Sequence, residues 1–441
     1  MGTAATDLPG VSGDAESAPL RFVTAASLFD GHDAAINIMR RLIQAQGAEV
    51  IHLGHNRSVD DIVRAAIQED ADGIAISSYQ GGHIEFFKYM IDRLEELDAS
   101  HIRVFGGGGG TITPDEIRTL MDYGVERIYH PHDGMELGLE AMIADLIART
   151  RAARRATELP ATNRSSVDIA ATISAIEERV FEEAELERLR KEWRMGAGQV
   201  PVIGITGTGG SGKSSVTDEL LNRLLNCFDD IRIAVLAVDP TRRRTGGALL
   251  GDRIRMNTLR SDRVYMRSIA TRRQHLATSE MLADHILFLK SQGFDLVIVE
   301  TAGIGQSDSE IVDMVDFAVY VMTSEYGAAS QLEKIDMLDF ADLVVLNKFD
   351  KRGAEDALRD VRKQWKRNHV AFAVADEDVP VYPTIASQFN DPGVSWMFAE
   401  LCRRMVDKVG LDAGKWTPDI DTSNREPRST AMIPGGRIRY L

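Results

Sequence analysis

Only two of the 441 residues are cysteine, Cys227 and Cys402, which excludes a disulfide framework and reads as two reduced, buried thiols. No stretch reaches 18 apolar residues, so no membrane-spanning helix is expected. Positive charge is scarce: 51 Lys and Arg stand against 67 Asp and Glu, a net charge of −16. The chain therefore lacks the electrostatic footprint of a nucleic-acid binder and would be repelled by anionic membrane surfaces. Residues 1–20 have neither a basic n-region nor an apolar h-region, so a signal peptide is not expected, and the chain reads as cytoplasmic. What remains is a globular composition, 44% hydrophobic and 27% charged, with length for about three domains.

From residue 21 apolar strands alternate with amphipathic helices, the pattern of an open parallel sheet whose ligands sit at the carboxyl ends of the strands. Three loops at that edge stand out: Asp30-Gly31-His32-Asp33, then Ser77-Ser78-Tyr79-Gln80-Gly81-Gly82-His83, then five glycines at 106–110. Glycines let backbone approach a ligand with no Cβ in the way. A histidine at a strand end can bind a metal through one ring nitrogen, and Asp30, two residues earlier, can fix its tautomer and raise its basicity. His32 alone would read as a helix cap; the three loops together favour one large, flat ligand.

These residues resemble the base-off cobalamin-binding domain of adenosylcobalamin-dependent mutases and methionine synthase. Asp30 and His32 match the family's D-x-H-x-x-G, with Ala35 in place of the glycine. Ser77 matches S-x-L with Tyr79 in place of the leucine, and the 41-residue and 26-residue gaps to Ser77 and Gly106 suit the family. The resemblance implies that His32 coordinates the cobalt of adenosylcobalamin from below. It also implies that Ser77 meets the buried nucleotide tail and that Gly106, Gly107 and Gly108 line its channel.

Residues 150–166 are basic and polar and read as linker; 168–195 reads as one long amphipathic helix, an inter-domain arm. The strand 202–206 then runs into Gly207-Thr208-Gly209-Gly210-Ser211-Gly212-Lys213-Ser214-Ser215, a phosphate-binding loop in the strand–helix context that this motif needs. Its glycines expose N–H groups to phosphates and the helix N-terminus adds its dipole. Lys213 is expected on the β- and γ-phosphates and Ser214 on Mg²⁺. Asp239, Asp252 and Glu300 lie at or near strand ends beside this loop and are the other candidate Mg²⁺ ligands. Asn347-Lys348-Phe349-Asp350, about 134 residues past Lys213, is a guanine reader: Asp350 accepts from the base, Lys348 stacks and Asn347 braces the loop. Ala386 and Ser387 suit the last base-contacting loop. GTP is thus the expected nucleotide and ATP the weaker alternative. Gln306 comes too late for a water-positioning glutamine, and that role is left open.

This second set of motifs, with Glu300-Thr301-Ala302-Gly303 and the segment 327–335 as switches, resembles the G-protein metallochaperones of acyl-CoA mutases. The resemblance implies a homodimer whose G domain gates cofactor loading. The order of the two halves resembles the N-terminal half of the fused isobutyryl-CoA mutase family. It implies two doubly wound parallel-sheet α/β domains, one Rossmann/flavodoxin-like and one P-loop GTPase, joined by a helical linker. Expected boundaries are a tail at 1–20, a cobalamin domain at 21–148, a linker at 149–198, a G domain at 199–411 and, at 412–441, a linker toward an acyl-CoA mutase substrate domain or subunit. Too few residues remain for a (β/α)₈ barrel, which takes about 250. The alternatives are a free-standing GTP-dependent cobalamin carrier and a cobalamin sensor without mutase chemistry.

Overall fold

The computed structural model describes residues 18–31, 33–157, 160, 165–241, 245–271, 275–301, 310–326, 332–425 and 427. Arg21–Ser27 (β1), Glu49–Arg57 (β2), Gly73–Ser77 (β3), Arg103–Gly107 (β4) and Arg127–Tyr129 (β5) pair in parallel in the order β5-β4-β3-β1-β2. β1 and β3 are buried along their whole length, the mark of strands covered on both faces. The cover is Asp33–Ala45 (α1), Val59–Gln68 (α2), His83–Glu96 (α3), Pro114–Tyr123 (α4), Pro131–Leu137 (α5) and Leu139–Ala153 (α6). Local sequence starts two of these helices. The Ser58 hydroxyl accepts from the Asp61 N–H, and Thr113 with Glu116 forms a capping box ahead of Pro114. The strand order reverses between β1 and β3, so a crevice opens at their carboxyl ends.

Two helices follow, Ser166–Glu178 (α7) and Glu183–Gly196 (α8). The second parallel sheet holds Val202–Gly207 (β6), Ile233–Pro240 (β7), Val264–Thr271 (β9), Leu296–Thr301 (β10), Phe317–Thr323 (β11), Leu343–Asn347 (β12) and Val381–Pro383 (β13), in the order β13-β12-β11-β6-β10-β7-β9. Lys213–Cys227 (α9) and His275–Lys290 (α10) are among its helices. The order reverses at β6, which places the phosphate loop at the switch point of this sheet. One strand belongs to the other half of the molecule: Ala248–Leu250 (β8) lies between β7 and β9 in sequence but pairs with β2, as the sixth strand of the first sheet.

Four expectations need correction. Position 148 falls inside α6, not at a boundary. The helix expected over 168–195 is two helices, broken where Arg179 turns left-handed (φ 54°) and its N–H returns to Ala175 O and Ile176 O. Apolar residues recur at helical spacing on either side, so periodicity alone does not reveal the turn. Nor is α7 an exposed arm: Ile169 to Glu177 are mostly buried, wedged between α2 and α10. The stretch from 412 is not all linker, because Trp416 is buried against Phe228, ring centroids 5.8 Å apart. Of the two thiols, Cys402 is buried and Cys227 only partly. Among the described residues no helix is long and apolar enough to cross a membrane.

The two halves meet across a buried charge cluster. Glu177 on α7 joins Arg21 of β1 (3.0 Å) to Arg267 of β9 (3.3 Å). Arg21 also donates twice to Glu49 (2.7 and 3.1 Å). Glu69, at the end of α2, accepts from Arg253 (2.7 Å) and from the N–H and hydroxyl of Ser268.

Candidate functional site

The crevice at the ends of β1, β3 and β4 deepens into a cavity of about 500 Å³. Ser77, Tyr79 and Gly106 to Gly109 form one wall, and α1 (Ile36, Met39, Ile43) and α6 (Met142, Ile143, Leu146) the others. The three loops expected at this edge are stitched together. Asp30, fully buried, accepts from the Tyr79 N–H through Oδ2 (2.8 Å). Ser27 donates to Ser78 (3.1 Å), and the Ser78 N–H donates to Gly107 O (2.8 Å). The glycines have separate reasons. A Cβ on Gly108 would sit 2.1 Å from the backbone Ser78 O, and one on Gly106 would strike the Phe87 ring at 2.4 Å; both are packing demands rather than ligand demands.

The apolar α1 and α6 walls suit a flat aromatic group, which supports the fit of a nucleotide tail. His32 lies outside the described residues. Asp30 ties the first loop to the second, a partner that a role confined to His32 did not anticipate. Sequence reading missed the α6 wall and Tyr129, whose hydroxyl donates to Asp145 (2.9 Å). Burial, then that hydrogen bond, push the Tyr129 phenol up, so it stays neutral. The spacing of Met142, Ile143 and Leu146 was the available signal.

Asp30→Ala is expected to weaken cobalamin binding about 10- to 100-fold, since the partly buried Tyr79 N–H loses this acceptor, whereas Asp30→Asn, which keeps an amide oxygen there, should lose less. Titration of both variants by cobalamin absorbance checks this; equal losses would mean that charge, not the Tyr79 bond, matters.

At the second site, Gly207 has φ 146° and a Cβ there would lie 1.9 Å from Val321 O, so the turn out of β6 demands glycine. Gly210 and Gly212 are also left-handed (φ 76° and 91°), and Gly209 has open space beside it. Ser214 donates to Glu300 Oε1 (2.8 Å), bringing two of the expected Mg²⁺ ligands together. Thr217, one turn beyond Lys213 on α9, donates to Glu300 Oε2 (2.8 Å), a residue that sequence reading passed over. β7 lies beside β10 in a register that pairs Ala237 with Glu300, so Asp239 is two residues further toward the same edge. Asp252 opens a 3-10 turn, Asp252–Arg255. The hydroxyls of Thr206, Thr208, Ser211 and Thr301 are buried and have no hydrogen-bond partner among the described residues. Buried hydroxyls without partners are costly, so this loop fits phosphate oxygens and a hydrated cation. Ser215 is half-buried on the first turn of α9.

Asn347, buried, braces two loops at once. Its Nδ2 donates to Ser211 O (2.8 Å), and its Oδ1 accepts from Thr384 Oγ1 and the Ala386 N–H (both 3.1 Å). Lys348 is left-handed (φ 57°) and donates to Gly210 O (2.7 Å). Asp350 is one-third exposed beside Lys351, and Ser387 is exposed. Asp391 holds the 384–387 loop by accepting from Ile385 N–H (3.1 Å) while capping the helix Pro392–Met405. The expected switches at 302–307 and 327–331 lie outside the described residues.

The family model described as "Methylmalonyl Co-A mutase-associated GTPase MeaB" matches residues 169–410, more than half the chain. The chain belongs to the MeaB family of GTPases. A B12-binding domain model matches residues 20–129, so a cobalamin-binding domain precedes the GTPase domain. Fused isobutyryl-CoA mutases are similar along nearly the whole chain. That of Geobacillus kaustophilus is 54% identical over 434 residues, covering 96% of this chain and 39% of the relative. That of Cupriavidus metallidurans is 53% identical over 450 residues, covering all of this chain and 40% of the relative. GTPase ArgK of Escherichia coli is 32% identical over 304 residues, covering 68% of this chain and 80% of the relative. The chain thus spans about two fifths of the length of the fused mutases it matches.

Proposed function

We propose that this chain is the cofactor-handling portion of an acyl-CoA mutase of the isobutyryl-CoA type. Its first domain binds adenosylcobalamin with His32 as the lower cobalt ligand and the 106–108 glycines along the nucleotide tail. Its second domain binds GTP with Mg²⁺ at Ser214, Glu300, Asp239 and Asp252, reads guanine with Asp350, and gates cofactor loading. The acyl-CoA rearrangement requires a substrate domain or subunit supplied beyond these residues. Adenosylcobalamin, when bound, supplies the organic radical that such rearrangements need. We further propose a homodimer, on the resemblance to mutase chaperones, in the cytoplasm, where Cys227 and Cys402 would stay reduced thiols.

The observation that carries the nucleotide reading is Asn347, which clamps the phosphate loop and the 384–386 loop into one site around the Lys348–Asp350 edge. With Mg²⁺, the purified chain is expected to hydrolyse GTP in strong preference to ATP. Asp350→Asn should reverse the preference toward xanthosine triphosphate by about a hundred-fold, because an amide N–H then faces the guanine donors. Equal GTP and ATP rates in the wild type would overturn the guanine assignment.

A further inference from the structure

β8 and the turn after it belong in sequence to the GTPase half, yet they complete the cobalamin-binding half. Ala248, Leu249 and Leu250 pair with Glu49, Val50 and Ile51, and Ala248 and Leu250 are fully buried in the core of the first sheet. Gly247 passes so close to α1 that a Cβ would lie 2.3 Å from Gln44 O. Just beyond β8, the buried Arg253 donates to both Gln68 and Glu69.

This segment is also tied to the phosphate-binding helix. Asp218, on α9 five residues past Lys213, accepts from Asn257 N–H (3.1 Å), Thr258 N–H (3.0 Å) and the Thr258 hydroxyl (2.6 Å). At its other end the segment bears on the distorted part of β2. Ile254 packs on Gly54, where a Cβ would lie 2.8 Å away, and Ile254 O accepts from Arg57 (3.4 Å). The β1–β2 register shifts twice in this stretch. Between Gly54 and Arg57 stands Asn56, left-handed (φ 55°), whose Oδ1 accepts from the N–H of Phe29, also left-handed (φ 64°). Phe29 is three residues before His32. Asn tolerates this conformation, but the bulky Phe29 is held in it by its surroundings rather than by its own preference, with Asn56 as one of the groups that hold it.

We propose that residues 253–258 are the relay through which the nucleotide site sets the cobalt-ligand loop, by the route Asp218, Asn257–Thr258, Ile254, Gly54–Arg57, Asn56 and Phe29. This rests on the gating reading above. A shift of α9 on phosphate binding moves the 253–258 turn through Asp218. The turn presses on β2 where its register is already irregular, and Asn56 carries the change to the loop before His32. Because a ligand shifts an equilibrium only through differential affinity, cobalamin must bind the GTP and GDP arrangements differently.

The test is the ratio of cobalamin dissociation constants with a non-hydrolysable GTP analogue and with GDP, measured on the whole chain. In the wild type this ratio is expected to differ from one by about 5- to 150-fold. Asp218→Ala, Ile254→Ala and Asn56→Ala should each bring it toward one while both ligands still bind singly. A wild-type ratio retained in all three variants overturns the relay and leaves gating standing. Superimposable wild-type curves overturn gating and the relay with it. Hydrogen exchange on the wild type needs no variant: the Phe29 and 54–57 amides should change protection between the two nucleotides, and unchanged protection there overturns the relay.

Discussion

Lys213→Ala is expected to lower GTP hydrolysis by about a hundred- to a thousand-fold, the scale seen when a preorganised group facing developing transition-state charge is removed. In the structure the Lys213 ammonium lies within the loop, 3.0 Å from Gly207 O and 3.3 Å from Thr208 O. No other cation is placed by the loop sequence itself to meet charge on the β–γ bridge. The loop's shape does not depend on this side chain. The Gly207 turn is dictated by Val321 O, and Asn347 holds Ser211 O from the opposite side. The variant should therefore keep its circular dichroism and melting profile while single-turnover hydrolysis collapses. Retention of the wild-type rate would remove Lys213 from the chemistry.

Glu177→Ala is expected to destabilise the folded chain by about 3–5 kcal/mol, the typical cost of removing one partner from a buried ion pair. The Glu177 side chain is 3% exposed and lies between Arg21 (5%) and Arg267 (1%). Without it Arg21 keeps Glu49, but among the described residues Arg267 keeps only the Ser174 hydroxyl (2.8 Å), on its Nη2. A nearly inaccessible guanidinium would lose its counter-charge. Replacing both members with apolar residues, Glu177→Leu with Arg267→Met, should recover much of the loss, because the desolvation cost disappears along with the pair. Urea denaturation of the three proteins measures both effects. A loss below about 1 kcal/mol for Glu177→Ala would place the cluster with surface-like pairs.

The Asp30→Ala and Asp350→Asn experiments separate the two ligands in the same way. Each removes an acceptor at one site and leaves the residues of the other untouched. If each variant impairs only its own ligand in isolation, a change in the other ligand's affinity when both are present measures coupling rather than damage.

The sequence by itself determined the two parallel-sheet halves and the residues at their ligand edges. Strands buried on both faces must be continuously apolar, and helices between them must carry an apolar stripe, so alternation alone placed β1 to β4 and α1 to α4. The glycine-rich loop after β6 and the run Asn347 to Asp350 after β12 were legible as candidates because each is a short local pattern at a strand end, left-handed glycines in the one and a fixed residue order in the other. Ser214 and Glu300, 86 residues apart, could be paired because the first follows from the phosphate-loop motif and the second from its place at the end of β10. Tertiary structure decided the rest. Ala248–Leu250 is three residues long, too short for any period, and becomes a strand only because the β2 edge offers it hydrogen bonds and a buried face. Arg179 breaks a helix that side-chain spacing would continue. Glu69, Glu177, Arg253 and Arg267 read singly as ordinary surface charges. Only the meeting of α2, α7 and β9 takes them out of water together, where a charge is stable solely beside its opposite.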